Sequence, residues 1–303
     1  MKDIHTATSF SAVSARNGMV CSVDDLASRA GVSLLRKGGT AVDAAIGASA
    51  VLAVTNQHMC GVGGDLWALV HVPGRDRPFA LNASGRAGSG ADLERLRTDG
   101  LPTMPFHRDP RSIPIPGCVD GWLALHERFG SLPLGQILDD AITLATEGFP
   151  ISLECAAATA LLENVDHVDD YLSSGKAEAG QIIRRPGLGE ALKGLESGSR
   201  ESFYLGTFGQ ELIKFGGGEF TEQDLRTPQA DWVVPLSIEA FGHRVWSLPP
   251  NSQGYLCLSS AWIADQLAIC LLYTSPSPRD QGGSGVAGGG GKKKGGGGGG
   301  GGG

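Results

Sequence analysis

Few side chains in this chain are of a type and spacing that chemistry requires. Gly61 to Asp65, GVGGD, is glycine-rich enough to suggest a nucleotide cradle. A dinucleotide site needs a strand, then the glycines, then a helix start aimed at the pyrophosphate. Here a helical pattern precedes the glycines and a strand pattern follows, so the order is reversed and a close-approach turn is the simpler reading. His58 and Cys60 stand two residues apart in the same loop, with no third ligand nearby in sequence. Two such neighbours share one metal poorly, and no metal site is expected. The remaining histidines form no HExxH pattern, and no GxSxG elbow is present. Arg86, in LNASGRAGSG, is the more informative residue. It follows a strand end inside a loop of small residues, where a ligand carboxylate could meet backbone and guanidinium together. A guanidinium offers a planar two-pronged donor suited to a carboxylate. The alternative is an ordinary solvated surface arginine.

The elements that must hold these residues are legible from patterning. Val20–Val23 is an apolar run expected to form a short strand. Leu26, Ala30, Leu34 and Leu35 fall on one face of a helix with Asp24 and Asp25 at its start and Gly38-Gly39 at its end. Thr40 caps a second helix, Ala41 to Val54, apolar nearly all round and so expected to be buried. Leu66–Val72 and the FALNAS segment are expected to pair as an antiparallel hairpin. Residues 90–115 read mostly as loop. Further helices are expected after Pro116-Gly117, before Gly148, through ECAAATALLENV, near GLGEALKGLES, and as one segment in ESFYLGTFGQELIKF. The stretch after EQDLR alternates like a strand pair turning at Phe241-Gly242-His243. The body therefore reads as one α/β domain spanning residues 1–269.

Of 303 residues, 41% are hydrophobic and 19% charged, as in a globular protein with a real core. The 47 glycines are abnormal, and 16 of them lie in Gly282–Gly303. Residues 270–303, CLLYTSPSPRD followed by a glycine tract broken by Lys292–Lys294, read like a translated adapter and homopolymer run. They are expected to be a non-native, disordered tail, since polyglycine buries no apolar area to offset its ordering entropy. The net charge is −7, and without that tail 21 basic and 31 acidic residues remain, giving −10. Neither nucleic acid nor an anionic membrane is an expected partner of so acidic a body. No apolar run reaches the roughly 18–20 residues of a membrane span, and the first residues show no export signal. A cytoplasmic location is expected. Six scattered cysteines, at 21, 60, 118, 155, 257 and 270, are expected to be buried small hydrophobes.

Taken in chain order, several blocks resemble one family. GMVCSVDDLASRAGVSLLRKGGTAVDAAIGASAVLAV, the GVGGD loop, the NASGRA loop, PIPGCVDGWLALHERFG, AITLATEGFPIS, FYLGTFGQEL and HRVWSLPPNSQG are together similar to the large-chain region of the gamma-glutamyltranspeptidase family. The resemblance spans nearly all of residues 17–265. It implies the large-subunit part of a four-layer αββα N-terminal-nucleophile hydrolase fold, lacking the C-terminal small-subunit part. It also implies a precursor that cleaves itself, so that a new N-terminal threonine attacks a gamma-glutamyl amide such as glutathione and passes the acyl group to water or an amine. A terminal amine can act as base for its own hydroxyl, so no cofactor is implied. The partners implied are a small amide substrate and the protein's own small subunit.

Two departures from the family pattern matter. No Thr-Thr pair occurs anywhere in this chain, so the nucleophile is expected to be absent and the catalytic residue unknown; the chain alone is expected to be inactive and to expose apolar surface. The family's carboxylate-binding arginine stands in an Arg-Glu-x-Ala-Pro context, and ungapped alignment places that position on Ser84. Arg86 is two residues later, on the same face if the strand continues. Arg86 is therefore the expected substrate-carboxylate ligand, with Asn82 and Ser84 as weaker neighbours. The alternatives are a relative with another acyl specificity, for oxamate or a glutaryl-type amide, and a non-catalytic binding remnant.

Overall fold

The computed structural model describes residues 13–105, 109–162, 165, 168–172 and 177–267. The tail expected to be disordered, and Cys270 with it, lies outside the described residues. The described residues form two compact units that divide between Val234 and Pro235.

The first unit begins with two helices whose starts are written in the sequence. α1 (Asp25–Arg36) is capped by the Asp24 carboxylate, which accepts from Leu26 N at 2.7 Å. α2 (Ala41–Thr55) opens with a reciprocal capping box: Asp43 N donates to Thr40 Oγ1 at 3.1 Å, and Thr40 N donates to Asp43 Oδ2 at 2.8 Å. α2 is buried on almost every side, as its uniform apolarity requires. Asp43 is wholly buried and also accepts from Ser131 Oγ at 2.9 Å. Burial alone would raise its pKa, but the hydrogen bonds from Thr40 and Ser131 outweigh that and hold the carboxyl below its ordinary value.

The expected strand at Val20–Val23 does not form. No described strand lies beside it to complete a ladder. Ser22 instead folds its hydroxyl back onto the Asp24 carbonyl at 2.6 Å, which turns the chain into α1.

β1 (Leu66–Val70) and β2 (Phe79–Ala83) form the expected antiparallel hairpin, with Leu66 opposite Ala83 and Trp67 opposite Asn82. The other edge of β2 pairs with β5 (Asp231–Val233), so that Asn82 also faces Asp231. Phe79, Phe129 and Trp232 meet edge to face across this sheet, with the Arg128 guanidinium 4.1 Å from the Phe79 ring centroid. Among its described residues the region 90–115 contains a short α-helix, α3 (Leu93–Thr98), and a single 3-10 turn, Pro110–Ser112.

α4 (Cys118–Phe129) packs on the hairpin, and α5 (Leu134–Glu147) packs on α2. A two-residue ladder joins β3 (Phe149–Pro150) to β4 (Ile182–Ile183), flanking α6 (Leu153–Ala158) in sequence. Then come α7 (Pro186–Gly194), α8 (Arg200–Tyr204), α9 (Thr207–Gly216) and α10 (Glu222–Arg226). The single helix expected across ESFYLGTFGQELIKF is two, α8 and α9, broken at Leu205-Gly206. The core runs through α1, α2, α4 and α5, with Trp122 almost fully buried and its indole N–H on Ser49 Oγ at 3.1 Å.

The second unit is the expected hairpin, β6 (Leu236–Ala240) with β7 (His243–Ser247), followed by α11 (Gly254–Gln266). Phe241 and Gly242 both adopt positive φ, as a tight two-residue hairpin turn demands. Leu236, Ile238, Tyr255, Trp262 and Ile263 line an apolar groove of about 580 Å³ in this unit. Among the described residues no helix is long and apolar enough to cross a membrane.

Candidate functional site: the loop after β2

β2 ends at Ala83, and the next three residues turn sharply into the loop carrying Arg86. Gly85 sits at φ +83, and a Cβ there would lie 1.9 Å from the Ile115 carbonyl oxygen. Gly117 is equally constrained, since its Cβ would lie 2.0 Å from the Ala83 carbonyl oxygen. The NASGRA and PIPG segments therefore interlock backbone to backbone, and Ile115 N donates to the Arg86 carbonyl at 2.8 Å. The two-residue offset does not keep Arg86 on the face of Ser84. The strand has already ended, and the left-handed Gly85 redirects the chain.

The three expected ligands have different surroundings. Asn82 lies within β2, and its Oδ1 accepts from Ser84 N at 3.1 Å, an Asx turn that closes the strand end. Ser84 is buried. Arg86 is the accessible one, its side chain 45% exposed. Its guanidinium is already engaged: Nη1 donates to the Pro228 carbonyl at 2.6 Å, and Nη2 pairs with the Asp231 carboxylate. Its backbone N donates to Gln229 Oε1 at 3.1 Å. Arg86 is therefore oriented by residues about 145 positions away, which no local pattern foretells.

Behind those partners lies an ion pair whose aspartate is buried. Asp120 accepts from Arg200 Nε at 2.7 Å and Nη2 at 3.0 Å, and from Gln229 N at 2.6 Å. Arg200 also donates to the carbonyls of Leu225 and Thr227, at 2.7 and 2.9 Å. This ties the 225–229 turn, and through Gln229 the Arg86 backbone, to the start of α4. Tyr204 completes the arrangement by donating to the Pro116 carbonyl at 2.7 Å, while burial pushes its phenol well above the ordinary value.

The GVGGD loop follows a helix and precedes a strand, as expected, and serves as a brace. The Gly64 carbonyl accepts from Gly117 N at 2.9 Å and Cys118 N at 3.0 Å. At Gly61 and Gly63, however, an added Cβ would meet open space, so no close approach requires glycine there. Cys60 Sγ donates to the Asn56 carbonyl at 3.8 Å. Cys118 and Cys155 are buried as expected, and burial pushes the Cys118 thiol up to about 12. Cys21, Cys60 and Cys257 are instead exposed, because the short coil before α1, the GVGGD loop and the outer side of α11 lie at the surface. Among the described residues no three His, Cys, Asp or Glu side chains gather where a metal ion could be held.

The fold is that of the large-subunit part of an N-terminal-nucleophile hydrolase. The gamma-glutamyltranspeptidase family profile matches residues 27–276, and the chain belongs to that family. It is 34% identical over 246 residues to the glutathione hydrolase-like YwrD proenzyme of Bacillus subtilis, covering 78% of this chain and 46% of that protein. It is 34% identical over 267 residues to the oxamate amidohydrolase proenzyme of Klebsiella pneumoniae, covering 84% and 50%. The chain thus spans about half the length of these relatives. Among solved structures it is similar to the gamma-glutamyltranspeptidase of Helicobacter pylori, with TM-score 0.80 and 23% identity over 89% of this chain and 81% of that one. It is also similar to the cephalosporin acylase of Bacillus halodurans, with TM-score 0.77 and 31% identity over 87% and 53%.

Proposed function

We propose that this chain is the large-subunit segment of a self-processing amidohydrolase precursor. The complete enzyme transfers an acyl group from a gamma-glutamyl compound or a similar small amide to water or an amine. The threonine nucleophile and its oxyanion donors belong to a small subunit outside this sequence, so the chain by itself has no amidase activity. Within it, Arg86 binds the substrate carboxylate, Asn82 shapes the strand end, and Ser84 sets the turn.

The observation carrying this reading is the exposed Arg86 guanidinium at the end of β2, oriented but not enclosed by Asp231 and Pro228. A half-exposed ion pair is exchangeable at little cost, so a substrate carboxylate can share or replace Asp231 on the guanidinium. The apolar groove of the second unit, with Trp262 and Ile263 each 50% exposed, supports the reading that further chain packs there.

A second acyl specificity has its own support. The oxamate amidohydrolase is as similar in sequence as the glutathione hydrolase-like protein. Oxamate carries one carboxylate and no ammonium group, so the single guanidinium of Arg86 would meet its charged end. The test is to express the complete precursor, follow its cleavage into two chains, and assay glutathione, oxamate and a glutaryl amide in parallel. Failure to self-cleave, or cleavage with no turnover of any of the three, overturns the proposal.

A further inference from the structure

A cleft of about 990 Å³ opens in the first unit between the end of α2, the Gly61–Gly63 loop and the helices α7, α8 and α9. No residue of the 82–88 loop lines it. Its volume lies in the range of small-molecule pockets. Most of its wall is apolar, with Leu188, Phe203, Phe208, Leu212 and Phe215 facing in.

At its edge sits Arg185, which is 92% buried by its 8% residual exposure. One nitrogen, Nη1, donates to the Ala53 carbonyl at 2.9 Å, and the guanidinium stacks 4.5 Å from the Tyr171 ring centroid. Its Nε is buried and has no hydrogen-bond partner, and among the described residues no carboxylate pairs with it. A guanidinium cannot lose its proton to escape burial, so its charge persists in this apolar wall. A buried cation without an anion is the costly half of an ion pair.

A second feature points the same way. α7 is nine residues long and α9 ten, and neither has a side-chain cap at its N-terminus. Gly187 and Leu188 of the first, and Thr207 and Phe208 of the second, line the same cleft. The uncapped N-terminal turns of two helices therefore border the same cavity as Arg185; α7 carries Pro186 at its first position, so its available amides begin at Gly187. Gly61 and Gly63 contribute bare backbone with open space above it.

Three acidic side chains also line the cleft. Glu190 and Glu211 are engaged on the surface by Lys193 and Lys214, at 3.1 and 3.3 Å. Asp170 stands near the first turn of α7, its Oδ2 3.4 Å from where a Gly187 Cβ would lie. Arg185 together with the positive ends of the two helices outweighs the one nearby carboxylate, so the balance suits a single negative charge and not a phosphate dianion.

We propose that this cleft binds an organic monocarboxylate with an apolar or aromatic body, its carboxylate on Arg185 and the free amides of α7, its body against Phe208 and Leu212. The proposal stands apart from the reading of Arg86. It is tested by calorimetric titration of the purified chain with 4-phenylbutyrate and with its neutral amide. The carboxylate is expected to bind about tenfold or more tightly than the amide, the difference that one charge-assisted contact makes. Arg185→Gln is expected to remove that preference. Ala191→Phe, which places a large side chain in the cleft six residues along the chain from Arg185, is expected to weaken both ligands while circular dichroism stays unchanged. Equal binding of acid and amide, no binding of the acid at millimolar concentration by folded protein, or unchanged binding in Ala191→Phe would each overturn it. Because the acid–amide comparison uses the unmodified chain, misfolding of a variant does not remove the test.

Discussion

Asp120 and Arg200 stand 80 residues apart in sequence and meet through two hydrogen bonds, Nε to Oδ1 at 2.7 Å and Nη2 to Oδ2 at 3.0 Å. Asp120 is 4% exposed, so the pair is shielded on the aspartate side, and Gln229 N supplies a third donor to the same carboxylate. Gln229 in turn fixes the Arg86 backbone, which links this ion pair to an exposed guanidinium.

Removing one partner of this pair leaves a buried charge without compensation. Arg200→Met is expected to destabilise the first unit by about 3–5 kcal/mol. Urea unfolding of the variant and the parent measures it. A loss under about 1 kcal/mol would mean that the pair behaves as a solvated surface bridge.

Asp43 makes stability depend on pH in the acid range. Its carboxyl is held below the ordinary value in the folded chain, while the unfolded chain titrates near about 3.9. The stabilisation is therefore fully present above that unfolded value and is lost as pH falls through the lower folded value. Asp43→Asn is expected to cost about 1–3 kcal/mol at neutral pH, through the donors of Thr40 and Ser131 left poorly matched. Its deficit relative to the parent should shrink toward pH 2. A deficit that stays constant from pH 7 to pH 2 would show that the carboxylate charge contributes nothing.

Gly85 combines a left-handed backbone with a close approach to Ile115. Gly85→Ala is expected to cost at least about 1–3 kcal/mol in backbone strain alone, and to displace Arg86. Thermal unfolding reads the first effect. An unchanged melting temperature would show that the loop rearranges freely.

Arg86→Met, made in the complete processed enzyme, is expected to raise KM for a carboxylate-bearing acyl donor about tenfold to a hundredfold, the loss of one charged hydrogen-bonded contact. The change in kcat should be small, since the contact holds in ground and transition states alike. An effect confined to kcat would place Arg86 nearer the reacting bond than proposed.

Much of the local structure was legible before any coordinate. Thr40 was legible as a helix cap because its short oxygen-bearing side chain reaches an amide three residues on, a relationship contained within one turn, whereas Asp24, expected at the start of the first helix with Asp25, proves to be its cap. The β1–β2 hairpin and the Phe241-Gly242 turn follow from alternation over five residues, and family membership follows from the order of blocks along the chain. Arg86 was legible as a residue suited to a carboxylate, but Asp231 and Gln229, which orient it, were not. Nothing in the spacing of residues 145 positions apart records that they meet. Nor did apolarity at Val20–Val23 reveal that no described strand would pair with it, or the sequence around Arg185 that its cation would be buried with no carboxylate paired to it among the described residues. Caps, turns and periodicity act over a few bonds and are carried by the sequence itself. Ion pairs, ladders and cavities depend on which distant segments share a surface, and only the folded chain decides that.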